Sequence, residues 1–213
     1  MTADAQRERQ ALCDTLLVVG PHAPTLCGDW TSADLAAHLI IRERRPLDAA
    51  GIAVPALADR TDRAVRKLAR ETPYATLVDT VRHGPPRWNP MRITRIDDQA
   101  NLLEFVVHHE DVLRGGGADD LRRDASDDLQ AVVWRHLSAR AGLLLRHVDA
   151  GVVLVTDHAR HQARPATAKG TVVLRGRPLE LALFCHGRRG VADITIDGPD
   201  TALRALTEAD LHL

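Results

Sequence analysis

The apolar residues of this chain change period once, near residue 149, and that change narrows the folds open to it. Before it they recur at three- and four-residue spacings, as on one side of a helix, in stretches that end at Gly or Pro. After it come β-branched runs bounded by Gly and Asp: GVVLVTD (151–157), TVVLRG (171–176) and VADITIDG (191–198). These read as strands. PLELALFCHGR (178–188) returns to a helical period, and TALRALTEADL (201–211) reads as a closing helix. The segment ARHQARPA, which holds His161, reads as a loop between strands. The order is four long helices and then β-β-α-β-α. The expectation is an α+β protein, with a helical bundle over 1–149 and a small α+β domain over 150–213.

The helix limits follow from start and stop signals. A first helix over 3–19 ends at Gly20-Pro21, and a second opens at Thr31 with Asp34 placed three residues on, as in a capping box. Residues 46–61, with Pro46, Gly51 and Pro55, read as an irregular connection. Residues 62–83 read as two short helical stretches split at Pro73. GPPRWNP (84–90) is a break. The next helix runs from Thr94 to Leu113, with Ile96, Ala100, Leu103 and Val107 on its core side, and stops at Gly115-Gly116-Gly117. Ser126 opens a long helix over 126–147.

Composition removes several function classes. Hydrophobic residues make up 45% of the 213, enough for a core, but aromatics only 3%, so Leu, Val, Ile and Ala must fill it. A net charge of −1 gives no electrostatic footprint for nucleic acid or an anionic membrane surface. No apolar run approaches the length of a bilayer span, and MTADAQRERQALCD lacks a signal-peptide core. Cys13, Cys27 and Cys185 are far apart and odd in number, which suits free thiols in a reducing cytoplasm. No G-x-S-x-G occurs, and no cysteine is placed near a histidine in a way that suggests a nucleophile. The three glycines at 115–117 follow a helix rather than open one, so they make a stop, not a phosphate cradle.

The remaining chemistry lies on two helices. Glu104 and His108 stand four residues apart, so their side chains leave one face a turn apart. With Asp97, Asn101 and Asp111 they form a polar stripe. Such a stripe is most often a solvated face. Here its neighbours are Val, Leu and Phe, which points to a buried helix and an inner metal site built from facing helices. Asp111, one turn past His108, is placed to orient an imidazole. His109 and Glu110 point elsewhere and read as surface residues. His38, beside the apolar side of the second helix, is weak evidence alone, since a lone histidine there is usually a boundary residue. It is the candidate third ligand because two imidazoles and a carboxylate leave a catalytic ion an open position. HGRRG (186–190) reads first as a solvated turn, and alternatively as a source of a guanidinium that holds a carboxylate.

W-T-x-x-D-L-A-A-H-L (30–39), E-x3-H-H-E-D (104–111) and the tail G-x-V-x-L-x-G-x-P-x-E-L-x-L-F-x-x-G-R resemble the mycothiol-dependent maleylpyruvate isomerase family. That family belongs to the DinB-like metal-binding four-helix bundle superfamily. The resemblance covers nearly the whole chain and implies a sterol-carrier-like α+β C-terminal domain. GPHAPTLCGDW, RERRPLDAAGI and EFVVHHEDVLR look closest to an actinobacterial branch usually described only as metal-binding. By motif, His38, Glu104 and His108 become ligands of a divalent ion, zinc in the first place and nickel as the other candidate. Arg188 corresponds to a catalytic arginine of the family. The implied cofactor is mycothiol, whose metal-bound thiolate adds to a small electrophile. The adduct then either isomerises and releases the thiol, or is itself the product.

Three readings follow: a metal- and mycothiol-dependent isomerase or S-transferase, a non-catalytic metal- or small-ligand-binding protein, and a purely structural bundle. All three suit a monomer or a homodimer.

Overall fold

The computed structural model describes residues 4–52, 54–86, 89, 94–117 and 123–211, without the side chains of 94–100. The expected positions of Ile96, Asp97 and Ala100 therefore lie outside the described residues. The structure is α+β, as expected, and forms two compact units, Met1–Arg123 and Asp124–Leu213.

The first unit contains five described α-helices: α1 (Asp4–Val19), α2 (Ser32–Arg44), α3 (Ala58–Glu71), α4 (Tyr74–His83) and α5 (Thr94–Arg114). Two short 3-10 turns, Ala49–Ile52 and Pro55–Leu57, occupy the segment read as irregular. Helix α1 stops where Gly20 takes a φ of 80°, a conformation that costs glycine nothing. Helix α2 starts with the full capping box, Thr31 and Asp34 satisfying each other's backbone N–H groups. Helices α3 and α4 part at Pro73.

Helix α1 packs on α5 and α4, and α2 on α3 and α4. Leu12 and Leu16 of α1, Leu35 and Ile41 of α2, and Leu77 and Val78 of α4 fill the interior. Burying each contributes ~1.5–3 kcal/mol. Helix α5 differs from its neighbours. Leu102, Leu103, Phe105, Val106, Val107 and Val112 point around its whole circumference, and all are buried. Over 101–112 only Glu104 is more than marginally exposed, so the other polar residues of α5 must find partners inside the protein.

One such interior pairing lies outside α5. Arg9 of α1, fully buried, makes a two-pronged ion pair with Glu43 of α2 at 2.9 and 2.5 Å and donates to the Val81 carbonyl at 3.0 Å. Its guanidinium also lies over the Phe105 ring, 4.3 Å from the centroid.

The second unit contains α6 (Asp127–Leu144), β1 (Gly151–Val155), β2 (Arg160–Arg164), β3 (Thr171–Arg175), α7 (Pro178–Cys185), β4 (Thr195–Asp197) and α8 (Asp200–Glu208). The sheet order is β2-β1-β3-β4, with β1 and β3 parallel and the outer pairs antiparallel. Helix α6 packs on α7 and β2, and the Gln130 side chain accepts from the Leu179 backbone N–H at 2.9 Å.

Strand β2 corrects the sequence reading, which took this segment for a loop. RHQAR carries almost no apolar signal because β2 is an edge strand, half-exposed, joined to β1 through its backbone. β4 is shorter than the β-branched run suggested and is exposed along its length. No described helix is long and apolar enough to cross a membrane.

Candidate metal centre

The enclosure of α5 brings the predicted ligands to one point. His38 Nε2 lies 3.5 Å from Glu104 Oε1, and His108 Nε2 lies 3.2 Å from the same oxygen. The three donor atoms all lie within 4.8 Å of one another. Ligands 2.0–2.2 Å from a zinc ion at tetrahedral angles are ~3.3–3.6 Å apart, so these two separations fit one coordination sphere. The donor set, two imidazole nitrogens and one carboxylate oxygen, suits zinc and other imidazole-binding divalent ions.

Each histidine side chain is 10% exposed and Glu104 26%, so of the three the glutamate is the one solvent reaches most.

The protonation states follow from the same surroundings. Burial alone would raise the Glu104 carboxyl, but hydrogen bonds from His108 and His38 and the charge of Arg42 hold it well below its usual value. Burial lowers the His38 pKa, and Glu104 only partly offsets this. For His108, burial acts downward but is outweighed by hydrogen bonds with Asp111, Cys27 and Glu104, and the ring titrates well above its usual range. Glu104 as carboxylate and His38 as neutral imidazole are the forms a metal requires, while His108 must release a proton first.

Neighbouring side chains orient each ligand. Arg42, one turn after His38 on α2, places Nε 3.3 Å from Glu104 Oε1 and also donates to Asn101 Oδ1. His108 Nδ1 lies 2.9 Å from Asp111 Oδ2, the arrangement the sequence suggested for Asp111. His38 Nδ1 is buried with no hydrogen-bond partner, so packing holds its ring instead. Trp30 lies 5.1 Å away between centroids, itself anchored by an Nε1–H bond to Asp62 at 3.1 Å.

Two sequence readings are overturned here. Cys27, in the loop before α2, brings its Sγ within 3.8 Å of His108 Nδ1 and donates to Asp111 Oδ2 at 3.0 Å. A cysteine does stand beside a histidine, across 81 residues of sequence that hid the contact. His109 and Glu110 are not surface residues: they are 5% and 0% exposed. His109 Nδ1 lies 2.8 Å from Glu8 and its Nε2 lies 2.7 Å from the Thr15 hydroxyl. Glu110 accepts from Arg114 and Arg123, each at 2.6 Å, and Arg123 also reaches Glu8 at 2.7 Å. An all-round apolar helix has no outside for them to face.

Arg188 lies in the second unit just after α7, half-buried, and donates to the His186 carbonyl at 2.6 Å. Its neighbour Arg189 donates to the carbonyls of Leu206, Thr207 and Ala209, closing the C-terminal end of α8. HGRRG is thus a turn that in part caps a helix.

No protein-family model matches the chain, and no curated protein matches it. Among solved structures it is similar to the crystal structure of the mycothiol-dependent maleylpyruvate isomerase, at 17% identity and a TM-score of 0.49, over 91% of this chain and 90% of that one.

Proposed function

We propose that this chain is a divalent-metal enzyme that uses a low-molecular-weight thiol, mycothiol, to isomerise a small electrophile or transfer the thiol to it. One observation carries the reading: donor atoms of His38, Glu104 and His108 converge within 4.8 Å of one another, with the spacing of a coordination sphere. The thiol assignment rests on the motif resemblance at 30–39 and 104–111. An ion held by this set supplies Lewis acidity and keeps a bound thiol as thiolate, the nucleophile for either reaction.

The chain's own residues have separable tasks. His38 and His108 offer nitrogen donors from two helices, and Glu104 neutralises part of the ion's charge. Asp111 fixes the His108 ring so that Nε2 faces the ion. Arg42 steadies Glu104 and puts a cation beside the ligands. Trp30 and the apolar residues around α5 keep water from the imidazole sides.

Arg188 is the residue that the resemblance assigns to an anionic substrate, and Arg42 is the guanidinium already at the ligands. Arg188→Ala is expected to leave metal content intact and raise KM for an anionic electrophile. Unchanged kinetics would remove Arg188 from the reaction and leave Arg42 as the anion-holding group. Three free cysteines and a free-thiol cofactor suit a cytoplasmic setting.

The test has two stages. Metal analysis of purified protein should give one zinc or nickel per chain. Absence of any stoichiometric ion after reconstitution sinks the proposal. Turnover of maleylpyruvate, then of a generic electrophile, with and without mycothiol comes next. Metal without thiol-dependent turnover of either would leave a metal-binding protein and no enzyme.

A further inference from the structure

We propose that Cys27, Asp111 and the outer nitrogen of His108 form a second cation site, for a thiophilic divalent ion of the zinc and cadmium class. It lies on the opposite edge of the His108 ring from Glu104. Cys27 Sγ, Asp111 Oδ2 and His108 Nδ1 all lie within 4.8 Å of one another, at 3.0, 2.9 and 3.8 Å pairwise. Donors around a tetrahedral zinc stand ~3.3 Å apart for nitrogen and oxygen and ~3.5 Å where sulfur is one of the pair, so small shifts of these atoms admit an ion. Thiolate, imidazole and carboxylate together favour soft and borderline metals over magnesium or calcium.

The loop that carries Cys27 is built in place. The Leu26 backbone N–H donates to the Asp111 carbonyl at 3.1 Å, and Pro24 pairs with Thr31 across the loop. The Thr25 hydroxyl accepts from the Cys27 N–H at 3.2 Å and donates to the Trp30 carbonyl at 2.8 Å. At the end of α5, Gly115 lies so close that a methyl there would overlap Pro24 O and Thr25 Cα. Cys27 is thus held against α5 by the backbone of residues 24–26 just before it, not by its thiol alone.

Cys27 is also the thiol a metal can reach. It is partly exposed, whereas Cys13 and Cys185 are buried and their thiols are pushed up to about 11 and about 12.

The site is tested by titrating reduced, metal-free full-length protein with cadmium chloride. The readout is the ultraviolet thiolate-to-cadmium charge-transfer absorption. Wild type should show one thiolate-bound cadmium per chain, and Cys27→Ser, which keeps a donor to Asp111, should lose that band with an unchanged melting curve. Asp111→Asn should weaken it by roughly 10- to 100-fold. His38→Ala should keep the band while losing zinc at the first site, which separates the two proposals. No band in wild type, a band undiminished in Cys27→Ser, or a band lost in His38→Ala each overturns the second site. Zinc retained by the double variant His38→Ala with Cys27→Ser instead overturns the first.

Discussion

His108 and His109 are adjacent on one buried helix, and each places Nδ1 beside a carboxylate, Asp111 at 2.9 Å and Glu8 at 2.8 Å. They differ at the other nitrogen. His108 Nε2 faces Glu104 and, beyond it, His38, a gathering of donor atoms within 4.8 Å of one another, with Arg42 beside the Glu104 carboxylate. His109 Nε2 ends on the Thr15 hydroxyl, inside a network that already holds the guanidinium of Arg123. The same side chain with the same kind of acidic neighbour is thus a proposed ligand in one place and a strut in the next. What decides is the far nitrogen, which the helical period alone does not reveal.

The largest expected effect breaks the metal side of this pair. His108→Ala should lower zinc affinity on the order of 1000-fold, about a third of the ~10–16 kcal/mol that a full zinc site supplies. Equilibrium dialysis against a zinc buffer measures it, and affinity within tenfold of wild type would remove His108 from the ligand set. Glu8→Ala breaks the other side. It leaves Arg123 and His109 without their shared carboxylate inside the protein and should cost ~3 kcal/mol or more of stability in urea unfolding, with zinc affinity unchanged. His109→Ala should likewise destabilise and keep the metal, and loss of the metal would show that the two histidines had been assigned the wrong way round.

Asp111→Asn comes next, with zinc affinity expected to fall roughly 10- to 100-fold through loss of ring orientation. The smallest effect is in pH. Burial would raise the Glu8 carboxyl, but His109 and Arg123 more than offset it and hold the folded-state pKa below 4.5. The stability Glu8 contributes is therefore complete above 4.5 and is lost as the pH falls through the lowered folded value. Wild type and Glu8→Gln should differ in urea midpoint at pH 6, and the gap should narrow as the pH is lowered below 4.5. A constant difference over that range would show that Glu8 is not ionised in the folded protein.

Local chemistry made much of the architecture legible. Thr31 with Asp34, Ser126, Pro73 and Gly20 each set a helix limit through one hydrogen bond or one backbone angle, and each did so in the structure. Strand β2 was hidden because an edge strand satisfies its backbone without an apolar face. In the site, Glu104 and His108 were visible as a pair because one helical turn joins them. Their meeting with His38 needed the motif resemblance, since nothing local ties α2 to α5. Cys27 was invisible for the same reason. His109 and Glu110 were misplaced because spacing tells which residues share a side, but not whether a helix has a dry side all round.

The three consecutive glycines after α5 are not equivalent. Gly117 takes a φ of 71°, Gly116 has nothing within 4 Å of a would-be methyl, and Gly115 has the Pro24 and Thr25 backbone against it. A sequence that drifts at 116 loses little, and asparagine could serve at 117. Any side chain at 115 would pry the cysteine-bearing loop off its helix, so that single hydrogen atom is what keeps sulfur and imidazole neighbours.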